Sequence, residues 1–344
     1  MPRFSRPKKG ALAGFALSLA MTLALSLASS FAQADTLTLM TAGKSKFIYM
    51  PLVLAASLGY FRDEGLDVKI LSQQAGIDST TELLSDAVQG AAGFYDHTID
   101  LQTRGVGLVS LVVFAQSAGL VELASARTDL HSMSGIAGKQ LGVTGLGSST
   151  YFITRYIASR AGVPSKNYTI VPIGSPDKFI SAFREGRLDA ALIEEPAATQ
   201  LIAESGATVL ADLRSVEGSR SVFGGNYAGA CLYVRREWLE SHHAQAQKLV
   251  TALVRSLHYI ASHDAATIAA HLPQDSDRPA NALYLDALRR SIPMFVVDGR
   301  MPEGAPETVL KLLTSNNTAI DPRHVDLSET YTNAFVDQAS ATLH

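Results

Sequence analysis

Apolar and polar residues alternate over short stretches of the chain, and each stretch is followed by helix-type spacing. Residues 36–40 alternate and predict a strand, a helix begins at Pro51 and ends at Gly59, and residues 66–71 predict a second strand. A second helix over residues 80–88 follows, capped by Asp78 or Ser79. This order of strand and helix is typical of a parallel sheet covered by helices.

The same order returns about a hundred residues later. Strands are predicted at residues 140–144, 168–171 and 189–193, with helices from Ser148 or Ser149 to residue 161 and over residues 176–184. Gly59 corresponds to Gly162, Val68 to Ile170, and residues 90–93 to residues 186–189. This weak repeat predicts two related α/β lobes, although any two such units look broadly alike.

Helices dominate the chain beyond residue 227. They are predicted at residues 245–260, 263–270, 280–292 and 306–314, separated by turns rich in Pro and Asp. A helical tail of this kind is expected to pack on a sheet that is already formed.

The amino terminus has the pattern of an export signal. Arg3, Arg6, Lys8 and Lys9 precede an apolar run that ends near the small residues 32–34, so residues 1–34 are predicted to be a cleavable signal peptide. The alternative is a transmembrane anchor, but the run is short for a span of roughly 20 residues. Cleavage would place the protein in the periplasm.

Charge and cysteine content exclude several classes of protein. Without the four cations of residues 1–34, 25 basic residues face 32 acidic ones, a net charge of about −7 that leaves no basic footprint for nucleic acid. The one cysteine, Cys231, cannot form an internal disulfide. The remaining 310 residues, in a chain that is 47% apolar, suit two domains held by their cores.

The sharpest local feature is the loop that follows the strand at residues 140–144. Gly147, Ser148, Ser149 and Thr150 stand at a predicted helix start, where free backbone N–H groups and three hydroxyls form a pocket for an anionic group. The alternative is that Ser148 or Ser149 only caps the helix. A dinucleotide site is disfavoured, because Thr150 stands where a third small residue is needed.

Other candidate ligand contacts follow predicted strands. Glu194 comes directly after the strand at residues 189–193, at the edge where ligands gather in open α/β sheets, although it could equally be a solvated first-turn residue. Aromatic and polar residues at three further places complete an aromatic-walled cleft, unless each ring packs only under its own loop. They are Tyr95 and Asp96 after the first lobe's third strand, Lys44, Lys46, Phe47 and Tyr49 in the first loop, and Asn226 and Tyr227.

Motifs for catalysis and metal binding are poor. The chain has no G-x-S-x-G or H-E-x-x-H pattern, and His242 and His243 lack metal-ligand spacing and companions. We therefore expect no catalytic residues, no metal and no cofactor, although scattered acids leave a general acid–base pair open.

Residues 50–68 resemble the opening signature of periplasmic binding proteins for sulfonates, nitrate, taurine and thiamine-pyrimidine precursors. An apolar helix is followed by Gly59, Tyr60 and Phe61, and then by the E-G-L-D-V run of residues 64–68. Residues 147–150, 182–190 and 194–196 resemble later landmarks of the same family, in the same order. The resemblance therefore covers nearly the whole chain after residue 34.

The resemblance implies a type II periplasmic binding fold, with a ligand cleft between two Rossmann-like lobes. Lobe 1 would comprise residues 35–123 and 228–344, and lobe 2 residues 124–227. It also implies a monomer that binds a small organic anion, such as a sulfonate, nitrate or an aromatic acid, and delivers it to the membrane permease of an ABC transporter. Glu194 stands where relatives often have an aromatic residue.

Three alternatives to sulfonate-type transport remain. They are a periplasmic enzyme on the same fold, a sensor subunit, and a receptor for a pyrimidine-type thiamine precursor. The family's enzymatic relatives carry a cysteine-rich motif, which a chain with one cysteine lacks.

Overall fold

The structure is a computed structural model that describes Met1 and residues 35–273, 282–316 and 320–343. Residues 2–34, and with them the predicted signal peptide, lie outside the described residues. No helix within the described ranges is both long enough and apolar enough to cross a membrane.

Two sheets of five strands organise the described chain. The strand order is β2-β1-β3-β10-β4 in the first sheet and β7-β6-β8-β5-β9 in the second. The strands are β1 (Asp35–Thr41), β2 (Leu66–Ser72), β3 (Gly90–Phe94), β4 (Leu108–Val113), β5 (Leu120–Ala124), β6 (Gln140–Val143), β7 (Thr169–Pro172), β8 (Ala190–Glu194), β9 (Thr208–Leu213) and β10 (Ala230–Arg235).

Both sheets have the same arrangement of parallel and antiparallel strands. In the first sheet β1 pairs parallel with β3, while β10 lies antiparallel between β3 and β4. In the second sheet β6 pairs parallel with β7 and β8, while β5 lies antiparallel between β8 and β9. This correspondence fits the internal repeat predicted from the sequence. We call each sheet with its helices a lobe.

The chain passes between the sheets twice. It leaves the first sheet after Val113 and enters the second at Leu120, so the first crossing lies a few residues before the boundary expected at residue 123. It leaves the second sheet after Leu213 and returns to the first at Ala230, close to the boundary expected at residue 227. The first boundary is hard to predict because β5 is fully buried and lacks polar alternation.

Helices cover the sheets and form the tail, much as the hydrophobic pattern predicts. The helix predicted over residues 80–88 differs, because in the structure it begins at Gly76 and ends at Leu84. The helices are α1 (Met50–Ser57), α2 (Tyr60–Asp63), α3 (Gly76–Leu84), α4 (Asp96–Gln102), α5 (Ser149–Arg160), α6 (Pro176–Glu185), α7 (Ala197–Ser205), α8 (Val216–Phe223), α9 (Arg236–Ser241), α10 (His243–Ser262), α11 (Ala265–His271), α12 (Ala282–Ser291), α13 (Ala305–Asn316) and α14 (Ala334–Leu343).

The helical tail packs on both lobes. Helix α10 lies against α1 and α14, and its Ser256 hydroxyl donates to the Pro51 carbonyl at 2.8 Å. Helix α13 packs on α5 and α12 contacts α7, so the tail also touches the second lobe. Residues from Thr36 onward form one compact unit.

A buried carboxyl lies in the second lobe, away from the cleft described below. Glu122, on β5, accepts a hydrogen bond from the Thr154 hydroxyl at 3.1 Å, while its other oxygen has no partner. Burial raises the pKa of Glu122 to about 8, and the bond from Thr154 offsets only part of that increase. The folded protein therefore holds a proton that the unfolded chain releases at lower pH.

This proton makes stability depend on pH. Below the ordinary glutamate pKa of 4.5 both states are protonated, and stability falls as pH rises from there toward 8, by up to about 1.4 kcal/mol per pH unit. We expect Glu122→Gln to flatten this decline, measured by urea unfolding at pH 5, 6.5 and 8. The exposed Glu240→Gln is the control, and an equal decline in Glu122→Gln and the unmodified protein would contradict the assignment.

Candidate ligand-binding cleft

The carboxyl ends of the parallel strands face each other across the gap between the lobes. On the first lobe, this edge carries the loop after β1, the start of α3 and the start of α4. On the second lobe, it carries residues 144–149 after β6 and Glu194 and Glu195 at the end of β8. Gly145 lies so close to the first lobe that a Cβ there would be 3.1 Å from the Cβ of Ala75. The lobes are therefore in contact along this edge.

The start of α5 holds a cluster of mutually bonded hydroxyls. The Ser148 hydroxyl donates to the Gly145 carbonyl at 2.6 Å and lies 2.8 Å from Thr150 Oγ1. Thr144 Oγ1 contacts both, at 3.0 Å from Ser148 Oγ and 2.8 Å from Thr150 Oγ1. Ser148 occupies the N-cap position without a side-chain capping bond. The hydroxyls of Ser148 and Thr150 therefore shape the loop instead of facing the other lobe.

Ser149 alone of the three predicted hydroxyls reaches the first lobe. Its Oγ donates to Asp96 Oδ1 at 2.9 Å, and both residues are buried. Burial raises the pKa of Asp96 to about 7, with a smaller contribution from Asp100, while the bonds from Ser149 and the His97 backbone oppose the shift. A carboxyl from lobe 1 thus lies at the helix start of lobe 2, where the sequence predicts an anion.

A buried ion pair joins the lobes nearer the mouth of the cleft. Lys46 Nζ lies 2.8 Å from Glu194 Oε1, and both side chains are at most 5% exposed. The Phe47 backbone N–H donates to the Glu195 carbonyl at 3.1 Å, which adds a second bond between the same two segments. Because each charge is buried with its partner, opening the lobes separates two ions that the closed form holds together.

Glu195 turns away from this pair into the second lobe. Its carboxylate accepts from Thr199 N at 3.0 Å and Thr199 Oγ1 at 2.8 Å, and from Arg214 at 2.8 Å. These bonds anchor the end of β8 to the start of α7, so that the backbone presents Glu194 to the other lobe.

A cavity of about 440 Å³ opens at the mouth of the cleft. The Phe47 ring meets the Tyr284 ring edge-on there, with 5.0 Å between centroids, so the tail helix α12 supplies part of the wall. Apolar and charged residues from both lobes and the tail line the cavity, and among them are Lys44, Lys46, Phe47, Ile180, Glu194, Glu195, Thr199, Leu272 and Tyr284. Its size is within the range of small-molecule sites.

Two buried tyrosines lie near Asp96, and a buried threonine ends β1 at the same edge of the first sheet; none of the three lines the cavity at the mouth. Tyr49 and Tyr227 are at most 2% exposed, and burial raises the pKa of both well above 10, with a further increase from the Asp96 carboxyl. Tyr227 stacks on Phe223 with 4.4 Å between ring centroids. The hydroxyls of Tyr227 and Thr41 and the second oxygen of Asp96 are buried without hydrogen-bond partners.

Two predicted contacts are engaged elsewhere. The Tyr95 hydroxyl bonds to Thr330 on the tail, because the residue at the end of β3 turns toward the far side of its own lobe. The Asn226 amide accepts from Arg220 at 2.7 Å and donates to the Glu303 carbonyl at 2.8 Å. The structure therefore does not bring these two side chains to the cleft.

The remaining predicted residues lie around the cleft in different roles. Lys44 is exposed at the mouth, while Phe47 and Glu194 are buried there. Gly147 has a φ of +80°, a left-handed conformation that favours glycine, and it faces Ile77 of the first lobe. Glycine is therefore favoured at this position by the backbone conformation.

Sequence reasoning missed one residue of this site and one pairing between residues that it had named. Thr41 ends β1, and the rule that ligands gather at strand ends would have marked it. The role of Lys46 as the partner of Glu194 has no local signal, since 148 residues separate the two. Cys231 is buried beside this cluster, and burial raises the pKa of its thiol to about 12. No group of His, Cys, Asp and Glu side chains in the described ranges is arranged to hold a metal ion.

Two α/β lobes joined by two crossings, with a cleft at the carboxyl ends of their parallel strands, define the periplasmic binding protein fold. A family model described as NMT1/THI5 like matches residues 46–267, and the chain belongs to this family. No curated protein matches the chain by sequence.

Solved structures share this fold. A protein from Bordetella bronchiseptica RB50 is 25% identical with a TM-score of 0.86, over 90% of this chain and 98% of the other. The alkanesulfonate-binding protein SsuA from Xanthomonas axonopodis pv. citri, bound to MOPS, is 16% identical with a TM-score of 0.70, over 88% and 100%. The periplasmic nitrate-binding protein NrtA from Synechocystis PCC 6803 is 14% identical with a TM-score of 0.70, over 91% and 90%.

The ion pair at the mouth predicts a specific pattern in a double-mutant cycle. Lys46→Met or Glu194→Gln alone leaves one buried charge unpaired, which should destabilise the closed form by about 3–5 kcal/mol and favour open lobes. The double variant should recover much of the closure, as measured by small-angle X-ray scattering and by the distance between fluorescent labels on the two lobes.

Lys139→Met is the matched control for this cycle, because it breaks a 3.3 Å ion pair with Asp189 within the second lobe. We expect it to leave closure unchanged. Additive effects of the two single changes at Lys46 and Glu194 would show that the pair does not couple the lobes.

Proposed function

We propose that this protein is the exported solute-binding component of an ABC importer, which closes its two lobes around a small ligand and delivers it unchanged to a membrane permease. The observation that carries this proposal is the cleft itself. Two lobes meet at the carboxyl ends of their parallel strands, and residues of both line a cavity of about 440 Å³ there. The sulfonate- and nitrate-binding relatives support the same role by analogy of fold.

The proposed mechanism is a shift in the population of open and closed forms. A ligand favours closure only by the extra free energy of the contacts that it makes in the closed form. The bonds from Ser149 to Asp96 and from Lys46 to Glu194 exist only while the lobes are together. They hold the cleft walls in register, and a ligand adds its own bonds to theirs.

A small organic anion, such as a sulfonate or nitrate, is the ligand class that the family resemblance favours. The backbone N–H groups at the start of α5 would receive it, and exposed Lys44 would attract it at the mouth. The position of Asp96 at that helix start weighs against this class, because a carboxyl already lies where the anion would bind.

Closure can be tested without knowing the ligand. Gly145→Val should act as a wedge, because even a Cβ at this position would lie 3.1 Å from Ala75 and 3.4 Å from Ile77 of the other lobe. We expect scattering and label distances to report open lobes, with each lobe still folded. Leu146→Ala, in the same loop but exposed, should close normally. A closed Gly145→Val protein would contradict the assigned interface.

A transport protein releases its ligand unchanged, whereas an enzyme converts it to a product. A ligand that binds only the native protein should raise its melting temperature, and mass spectrometry should recover the ligand unchanged after prolonged incubation. The Gly145→Val protein should lose most of that stabilisation. Recovery of a converted product would replace the importer role with that of an enzyme on the same fold.

A further inference from the structure

Three buried polar atoms without partners converge on one edge of the first sheet. Thr41 ends β1, Asp96 follows the neighbouring strand β3, and Tyr227 precedes β10, whose first residue Ala230 pairs with Phe94 at the end of β3. Thr41 Oγ1, Asp96 Oδ2 and the Tyr227 hydroxyl all lack hydrogen-bond partners. Leaving a buried polar atom unpaired costs about 1–3 kcal/mol, so three together indicate a place for a bound polar group.

The chemistry of this place is rich in acceptors. A carboxylate oxygen only accepts when ionised, and each hydroxyl offers lone pairs as well as one proton. Across the described ranges, none of the buried side-chain atoms without a partner belongs to a lysine or an arginine, and the one nitrogen among them, His97 Nε2, belongs to an imidazole whose pKa burial lowers to about 4. Lys46, the buried cation nearest the mouth, is paired with Glu194 at 2.8 Å, and Lys44 is exposed to water, which weakens its attraction for an anion.

The helix start that would hold an anion already has one. Ser149, the first residue of α5, donates to Asp96 Oδ1, so the carboxyl of lobe 1 lies where the N–H groups of the helix favour negative charge. Whenever Asp96 is ionised, a ligand anion there would meet a like charge at short range in a buried site, which is unfavourable. A cationic or N–H-donating group would instead satisfy the free oxygen of Asp96.

We infer that the cleft recognises a small organic amine, whose ammonium or N–H group donates to Asp96 between the hydroxyls of Thr41 and Tyr227, and that simple sulfonates and nitrate are not its ligands. This inference rests on the proposed function, since it names the ligand class of the same cleft. Burial holds the pKa of Asp96 at about 7, and a bound cation favours its ionised form.

The test compares ligands that differ only in the charged group. Benzylamine, benzyl alcohol, benzoate and benzenesulfonate form one series, butylamine, butan-1-ol, butyrate and butanesulfonate a second, and nitrate is added alone. Melting temperature and calorimetry are measured for the purified protein with each compound. We expect stabilisation by the amines and none by the sulfonates or nitrate.

Two buried carboxyls provide matched variants. Asp96→Asn should weaken amine binding about 10- to 150-fold, the equivalent of a hydrogen bond to a charged group. Glu122→Gln makes the same chemical change at a buried carboxyl that is likewise bonded to a hydroxyl, but lies away from the cleft, and should leave affinity unchanged. If Asp96→Asn fails to fold, Thr41→Val and Tyr227→Phe serve instead, with an expected loss of about 3- to 10-fold each.

The outcomes separate this inference from the proposed function. Binding of sulfonates or nitrate but not amines, or equal amine affinity in the Asp96→Asn and unmodified proteins, would overturn the amine assignment and leave the importer role intact. Binding of nothing in either series, with no closure by scattering, would overturn both.

Discussion

A buried carboxyl that reaches from one lobe to the helix start of the other is the contact on which the closed structure depends. Asp96 is completely buried, and Ser149 of the second lobe supplies one of its bonds. Burial of an ionisable group is unfavourable unless the group is hydrogen-bonded. The Asp96 carboxyl therefore joins the two lobes through its bond to Ser149, but its desolvation also opposes their closure. The second oxygen of Asp96 has no partner, so part of this desolvation free energy is not compensated within the protein. A ligand that donates to this oxygen would compensate it.

The topology explains why the two lobes respond to one contact. The first strand after each crossing is the antiparallel one, β5 in the second sheet and β10 in the first. Each of them lies inside its sheet, between two other strands, and not at the edge. The two connections are residues 114–119 and residues 214–229, and the second contains α8. The tail helices α12 and α13 touch the second lobe as well, which adds a surface that opening must rearrange.

The sequence predicted the fold well because its evidence is local. Strand alternation, the glycines that end helices and the E-G-L-D-V run each involve neighbouring residues, and they located most of the parallel strands and the helices that cover them. The antiparallel strands β5 and β10 were missed because they are buried on both faces and show no alternation. Helix α3 was placed too late because Gly76 at its start is a poor helix former and the true cap, Ala75, offers no side-chain oxygen.

The site was predicted less completely, because its chemistry depends on pairs that are distant in sequence. Asp96, Ser149 and Glu194 could be named from strand ends and helix starts, but not the partners that they choose. Lys46 neutralises Glu194, Asp96 occupies the position expected for an anion, and Ser148 and Thr150 bond to each other. Only the folded geometry shows which polar groups already have hydrogen-bond partners. The groups without partners are the ones from which we infer the ligand class.

Selection among ligands in such a cleft depends on the interactions that differ between the empty and the filled closed form. The protein already has the interlobe bonds of Lys46 with Glu194 and of Ser149 with Asp96, so these stabilise the empty closed form and the filled one equally. An interaction that is equal in both states does not select the ligand, however strong it is. On the proposed amine assignment, selection falls to Thr41, Tyr227 and the second oxygen of Asp96, because their bonds would be made only when a ligand is enclosed. In this proposal, the ion pair of Lys46 and Glu194 affects the equilibrium between open and closed lobes. The polar atoms without partners determine which ligand is selected.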